Sequence, residues 1–269
     1  MVTFVIKKTK IRTVTATQYL TPLREGGSLP AIVEADDGSL YVMKFVGAGQ
    51  GPKALIAELV AGEIARVLGL SVPEIVFINL DPVMGRSEPD AEIQDLLQAS
   101  AGLNLGLRYL PNAFAFNMLL QPPPEPDLAS AIVWFDAYVT NVDRTPRNVN
   151  LLIAQKKLWL IDHGACLYFH HDWEDYLARS RSPFPLIKDH TLLSFASKLP
   201  ETDANFQAKL SPEIIRQIVD MIPHQWLDHD SDFAGFAEHR QAYIDYLLTR
   251  LEASSIFVEE ALRARTKLV

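Results

Sequence analysis

A run of prolines at residues 121–126 (QPPPEP) divides this chain, because neither a helix interior nor a central strand tolerates such a segment. Before the run, short β-branched stretches and alternating apolar residues prevail, whereas after it the apolar residues mostly follow a helical period. This pattern predicts an α+β chain with two parts. We place the boundary between about residues 102 and 126, and we expect a strand-rich N-terminal lobe over residues 1–110 and a mainly helical C-terminal lobe over residues 111–269.

Turn signals punctuate the N-terminal part. Four strands are predicted, at residues 13–19, 31–34, 40–45 and 76–80. Asp37-Gly38 lies between the second and third of these, and an Asp-Gly pair between apolar runs is a strong hairpin signal. A helical period over residues 54–68 ends before Gly69, which suits the C′ position of a helix.

The middle and C-terminal parts alternate between helical and extended patterns. We predict a loop at residues 102–106, where glycine is frequent, and we place Asp127 as the N-cap of a helix over residues 127–141. The other predicted elements are a helix at 90–99, a hairpin of two strands at 150–153 and 158–161, a helix at 212–221, and a long helix over 236–253 that runs on towards residue 264.

Composition narrows the classes of protein. The 25 Lys and Arg residues against 33 Asp and Glu give a formal net charge of −8, which disfavours a general nucleic-acid binder. No apolar run reaches the roughly 18–20 residues of a membrane helix, so we expect no membrane partner. The single cysteine, Cys166, fits a reducing compartment, and a cytoplasmic location is predicted.

The densest polar cluster lies at residues 140–150 (TNVDRTPRNVN), between a predicted helix and a predicted strand. Asp143 is followed five residues later by Asn148, and Asp162 lies at the end of the next hairpin. Phosphoryl transfer needs a carboxylate that orients a hydroxyl and hard oxygen ligands for Mg²⁺, and this set supplies both. The alternative is a long turn whose polar side chains cap backbone groups.

Residues beside this cluster have supporting roles in the prediction. Asp136 precedes Asp143 by about two helical turns, so we expect it to support the loop. Arg144 has two open interpretations: it neutralises phosphate charge, or it holds carboxylates of the loop itself. His163, which follows Asp162, is predicted to be a structural residue of the turn.

A lysine in the third predicted strand forms the second candidate feature. Alternation places Lys44 on the same side as Val42 and opposite Met43. A charge in an apolar strand is costly unless it is paired, and Glu58 on the following helix is the natural partner. The alternative is a lysine whose ammonium group lies in water and a solvated glutamate.

Two glycine-rich stretches are candidates for covering phosphates. Gly26, Gly27 and Ser28 lie between the first two predicted strands, which is the position of a kinase glycine loop, and we favour them. Residues 47–51 (GAGQG) precede a helix and are the alternative, although they match neither the dinucleotide fingerprint nor the Walker pattern.

Taken in order, these motifs resemble the HipA-like kinase domain. The residues that carry the resemblance are 41–45 (YVMKF), 51–58 (GPKALIAE), 68–74 (LGLSVPE), 134–136 (WFD), 141–144 (NVDR), Asn148 and 161–165 (IDHGA). The resemblance implies a bilobal protein-kinase-like fold that binds ATP with Mg²⁺ and transfers the γ-phosphate to a hydroxyl.

Roles carry over position by position from this resemblance. Lys44 would hold phosphates and pair with Glu58, Asp143 would be the catalytic aspartate, and Asn148 and Asp162 would bind the metal. Ordinary protein kinases have His-Arg where this chain has residues 141–142, and Phe at the position of His163.

The predicted activity is phosphorylation of a Ser/Thr hydroxyl of a protein. The alternatives are a small-molecule or lipid kinase and a non-catalytic nucleotide-binding module. An antitoxin-like regulatory partner stays an open expectation.

Overall fold

The computed structural model describes residues 10–23, 29–119, 122–228 and 232–268. The described residues form two compact units. The first contains the described residues up to Leu55 together with Glu74–Tyr109, and the second contains Ile56–Pro73 and the described residues from Leu110 onward.

The first unit is built on a closed barrel. Its strands are β1 (Thr13–Pro22), β2 (Ala31–Ala35), β3 (Leu40–Lys44), β4 (Ile75–Leu80) and β5 (Gly102–Arg108). They follow the order β1-β2-β3-β5-β4, in which β1 and β4 pair in parallel and the other pairs are antiparallel. Alternating residues such as Val33, Met43 and Ile78 fill the interior, as expected for strands with one buried face. The four strands predicted for this part are confirmed.

Strand β5 overturns the loop predicted at residues 102–106. Gly106 is placed by packing, since a Cβ there would collide with the side chain of Ile78 and lie 3.0 Å from Val76. Gly102 has open space around it and is instead placed by its φ of +96°. The buried Asn104 satisfies backbone groups, because its side chain accepts from the Val46 N–H at 2.8 Å and donates to the Ser100 carbonyl at 2.8 Å. Gly106 therefore marks a close approach within the sheet, although the sequence alone indicates a turn at this position.

In sequence order, one helix follows β3 and a second helix follows β4. Helix α1 spans Pro52–Leu68, and Gly69 follows it at φ +91°, the left-handed conformation of a helix C′ residue. Helix α2 spans Ala91–Ala99, and the Asp90 side chain caps it by accepting from the Glu92 N–H at 3.1 Å. A 3-10 helix, Pro82–Ser87, precedes α2.

The second unit is mainly helical and carries a small sheet in the order β6-β7-β8. Its sheet strands are β6 (Phe114–Ala115), β7 (Leu151–Ala154) and β8 (Lys157–Leu160). Its helices after α1 are α3 (Pro126–Tyr138), α4 (Tyr176–Ser180), α5 (Leu199–Lys209), α6 (Pro212–Val219), α7 (His224–Leu227), α8 (Phe236–Glu252) and α9 (Ser254–Arg265), with 3-10 helices at Tyr168–His171, Pro185–Asp189 and Leu193–Phe195.

Aromatic packing on α3 organises the core of the second unit. The Trp134 ring lies 5.1 Å from the rings of Tyr138 and Phe206 and 5.5 Å from that of Phe257, measured between centroids. The Trp134 indole N–H donates to Asp203 Oδ1 at 2.7 Å, so the polar group of this buried side chain is satisfied. Within the described residues, no helix is both long and apolar enough to cross a bilayer.

Two helix boundaries differ from the predictions. Helix α3 begins at Pro126, so the N-cap is Glu125 and Asp127 lies in the first turn, where a carboxylate also favours the helix dipole. The long C-terminal helix is broken at Ala253, which separates α8 from α9.

Candidate active site

The candidate catalytic loop begins where α3 ends. Thr140 has a φ of 52°, in the left-handed region, and this conformation stops the helix shortly after Tyr138. The backbone N–H of Asn141 then donates to the carbonyl of Asp136 at 2.8 Å. The loop therefore starts from a fixed point on α3.

A fully buried carboxylate holds this loop. Asp136 accepts hydrogen bonds from Asn141 Nδ2 at 2.7 Å, Arg144 Nε at 2.7 Å and His190 Nε2 at 2.8 Å. On the other side of the same imidazole, Nδ1 accepts from the Leu192 N–H at 3.0 Å, which assigns the proton to Nε2. Asp136 thus supports the loop, and the carboxylate that Arg144 holds belongs to helix α3 and not to the loop itself.

Burial and neighbouring charges have opposite effects on the pKa of the Asp136 carboxyl. Desolvation alone would raise the pKa of this carboxyl, but the Arg144 charge and the His190 hydrogen bond outweigh it and lower the pKa of Asp136 to about 2. Since the unperturbed pKa is 3.8, the ionised form is the one that the native state favours.

Acid should therefore destabilise the protein through Asp136. A carboxyl whose pKa is lowered on folding contributes stability above its unfolded pKa, and that stability is lost as the pH falls. We expect a loss of about 2 kcal/mol in the free energy of unfolding between about pH 5 and pH 2. Urea unfolding across this range measures it.

A surface carboxyl provides the control for this pH dependence. Asp37 also has a pKa of about 2, because hydrogen bonds from Tyr41, the Ser39 backbone and Arg12 outweigh its desolvation. The loss of unfolding free energy in acid should persist in Asp37→Asn, since Asp37 is solvent-accessible and its interactions are screened. A loss that disappears in Asp37→Asn would contradict the assignment to Asp136.

Asp143 and Asn148 are brought together by the loop. Asp143 Oδ2 accepts from Asn148 Nδ2 at 2.6 Å and from Asn150 Nδ2 at 3.4 Å, and the Asp143 N–H donates to Asn141 Oδ1 at 3.1 Å. Oδ1 of Asp143 has no hydrogen-bond donor among the described residues, and the residue is half-buried. One oxygen of this carboxylate is therefore oriented by the protein while the other is open to a ligand.

Asp162 follows β8, and the β7–β8 hairpin positions it. Gln155 and Lys156 form the tight turn with φ of 51° and 61°, typical of a type I′ turn. The Ile161 N–H donates to the Asn150 carbonyl at 3.2 Å, which connects the segment before Asp162 to the end of the catalytic loop. Asp162 itself has a φ of 57°, an uncommon value for a residue other than glycine.

Glu58 is fully buried on α1 and contacts the residue after Asp162. Its Oε2 accepts from the His163 N–H at 2.8 Å, and its Oε1 lies 3.2 Å from His163 Nδ1. Both Glu58 and His163 belong to the second unit. The solvated glutamate of the alternative interpretation is thereby excluded.

Lys44 lies at the end of β3 in the first unit. Val42 and Lys44 are half-buried whereas Met43 is fully buried, so the predicted alternation is confirmed. The pairing of Lys44 with Glu58 stays a prediction. Gly26, Gly27 and Ser28 lie outside the described residues, so their predicted role as the phosphate cover also stays a prediction.

Sequence reasoning missed His190 and Asn150 as parts of this site. His190 is 46 positions beyond Arg144, and nothing in its neighbourhood marks it as a partner of Asp136. Asn150 adopts the left-handed conformation at φ 49°, which places its amide beside Asp143. The Asn-rich composition of the loop was the one available signal for Asn150.

The oxygen donors of this site suit a hard cation. Because Asn148 donates its Nδ2 to Asp143, its Oδ1 is the atom that would remain for a metal, and the Asp162 carboxylate would be the second donor. No cluster of three or more His, Cys, Asp or Glu side chains that could hold a metal occurs within the described ranges. Magnesium is commonly held by one or two protein groups together with substrate phosphates, so a small donor set fits it.

Similarity to solved structures identifies the class of fold. The structure of CtkA, a proinflammatory kinase of Helicobacter pylori, is similar to this chain with a TM-score of 0.54 and 15% sequence identity, covering 96% of this chain and 99% of that chain. Structures of the Golgi casein kinase, alone and with Mn/ADP bound, have TM-scores of 0.48 and 0.45, with 12% identity in each case. They cover 95% and 93% of this chain, respectively, and 73% of theirs. The chain has a protein-kinase-like fold.

A match to a family model identifies the family of this chain. The model described as HipA-like kinase matches residues 17–259. The chain therefore belongs to the HipA-like kinase family and is a phosphotransferase, which confirms the resemblance drawn from the motifs. No curated protein matches the chain.

Proposed function

We propose that this kinase transfers the γ-phosphate of ATP, with Mg²⁺, to a Ser or Thr hydroxyl of a protein. The observation that carries the proposal is the Asp143 carboxylate, which has one oxygen held by Asn148 at 2.6 Å and the other without a donor among the described residues. A carboxylate placed in this way is suited to orient a hydroxyl and accept its proton during phosphoryl transfer.

Each residue of the proposed mechanism has a defined task. Asp143 orients the acceptor hydroxyl and takes its proton, while Asn148 fixes the carboxylate in position. Asn148 Oδ1 and Asp162 would hold the Mg²⁺ that neutralises phosphate charge, and Lys44 and Glu58 keep the roles that the family resemblance gives them. The buried Asp136 keeps the loop in one conformation, which spares the reaction the cost of ordering it.

Transfer of labelled phosphate tests this function directly. The purified protein is incubated with γ-labelled ATP and Mg²⁺ in the presence of a protein extract, and the products are hydrolysed and separated as phosphoamino acids. We expect label in phosphoserine or phosphothreonine, and its dependence on Mg²⁺ is checked by chelation with EDTA.

Other outcomes separate the alternatives. Label confined to a lipid or small-molecule fraction would overturn the protein acceptor and favour the corresponding kinase class. ATP binding without transfer to any fraction would favour a nucleotide-binding module. Asp143→Asn should abolish the labelling. Asp189→Asn, which alters an exposed carboxylate in the Pro185–Asp189 3-10 helix, is its matched control and should label as the unmodified protein does.

A further inference from the structure

Glu58 and His163 form a buried contact through two hydrogen-bonding positions, and this contact has no role in the mechanism proposed above. Both side chains are completely buried, and each carboxylate oxygen of Glu58 meets a different nitrogen of His163. Oε2 accepts from the backbone N–H at 2.8 Å, and Oε1 lies 3.2 Å from Nδ1. Because a carboxylate can only accept, Nδ1 carries a proton and donates it.

The imidazole of His163 is fixed on its other sides as well. Its ring packs edge-on against Phe135 of α3, with centroids 5.7 Å apart and an interplanar angle of 79°. Its carbonyl accepts from the Cys166 N–H at 2.9 Å, and Nε2 has no hydrogen-bond partner in the described part of the chain. Among the described residues, Glu58 is therefore the only polar partner of the ring.

The contact between Glu58 and His163 constrains the backbone conformation of Asp162. The His163 N–H belongs to the peptide plane that joins Asp162 to His163, so the bond to Glu58 fixes the ψ angle of Asp162. The φ of Asp162 is 57°, a left-handed conformation that is uncommon for a residue with a Cβ, although aspartate adopts it more readily than most. Backbone strain of this kind is concentrated at functional sites.

We infer that His163 is a positioning residue, whose ring bond to Glu58 holds Asp162 in the left-handed conformation required for metal binding. A phenylalanine at this position, as in ordinary protein kinases, would keep the backbone N–H and the packing on Phe135 but would lose the ring bond. The inference rests on the role of Asp162 as a metal ligand in the proposed function.

Mn²⁺ binding tests this role apart from the phosphoryl-transfer reaction. Electron paramagnetic resonance with Mn²⁺ and a non-hydrolysable ATP analogue reports the affinity of the folded protein for the metal. We expect His163→Leu and His163→Phe to weaken Mn²⁺ binding by about 10-fold or more, the usual effect of losing a group that orients a metal ligand. His163→Asn should restore the affinity to within about threefold, because its Nδ2 replaces the Nδ1 donor.

The variants distinguish positioning from a general structural role. A purely structural His163 would give variants with lower resistance to urea but unchanged Mn²⁺ affinity, and that result would overturn the inference, as would equal weakening in His163→Asn and His163→Leu. His224→Asn, an exposed histidine of α7, is the control and should bind Mn²⁺ normally.

Asp162→Asn separates the inference from the function on which it rests. Unchanged Mn²⁺ affinity in Asp162→Asn would overturn the metal assignment itself. Weakened binding in Asp162→Asn with normal binding in His163→Leu and His163→Phe would overturn the positioning role alone. If His163→Leu does not fold, the comparison of His163→Phe with His163→Asn decides, because only His163→Asn keeps a hydrogen-bond donor for Glu58.

Discussion

Asp136→Ala is expected to lower the free energy of unfolding by about 3–5 kcal/mol, the usual cost of removing one partner of a buried ion pair. The substitution leaves the Arg144 guanidinium completely buried with no carboxylate, and it also removes the acceptor of Asn141 and His190. Since small domains are stable by about 5–15 kcal/mol, this is a large share of the total. The midpoint of urea unfolding at pH 7 measures the loss.

A double-mutant cycle shows whether the loss comes from the uncompensated charge. Arg144→Met alone should also destabilise, but Asp136→Ala combined with Arg144→Met should cost clearly less than the sum of the single losses, because no buried charge is then left without its partner. Asp127→Ala, an exposed carboxylate in the first turn of the same helix, is the control and should cost under about 1 kcal/mol. Additive losses would contradict the role of the ion pair.

The sequence predicts those parts of the fold that local patterns determine. The alternation in β3 correctly gives the half-buried position of Lys44, and the Asp37-Gly38 pair gives the hairpin turn, with Gly38 at φ +71°. Strand β5 was missed because glycine signals a turn locally, whereas here the side chain of Ile78 on the neighbouring strand leaves no room for a Cβ at Gly106. That constraint arises from sheet packing and cannot be recognised from the sequence of β5 alone.

The same distinction applies to the candidate site, where contacts between residues close in sequence could be predicted and contacts between distant residues could not. The Asp143–Asn148 contact joins residues five positions apart within one loop, so their spacing predicts it. Asp136 could be assigned to loop support because it lies seven residues before Asp143, which is about two turns of a helix. By contrast, His190 approaches Asp136 across 54 positions and His163 approaches Glu58 across 105, and contacts of that range depend on the tertiary fold.

Asp143→Asn should reduce the turnover number for phosphoryl transfer by a factor of about 10²–10⁴, the usual contribution of a positioned general base. The amide has nearly the same shape and still offers an oxygen to Asn148 Nδ2, so the loop should keep its conformation, but it cannot take the hydroxyl proton. Because Asp143 is not a proposed metal ligand, ATP affinity should stay within about threefold of the unmodified protein.

Turnover measured at saturating Mg·ATP, together with nucleotide binding by calorimetry, separates the two effects. A variant that kept more than about a tenth of the turnover would show that Asp143 is not the base, whereas equal losses of turnover and ATP affinity would place it among the groups that bind the nucleotide.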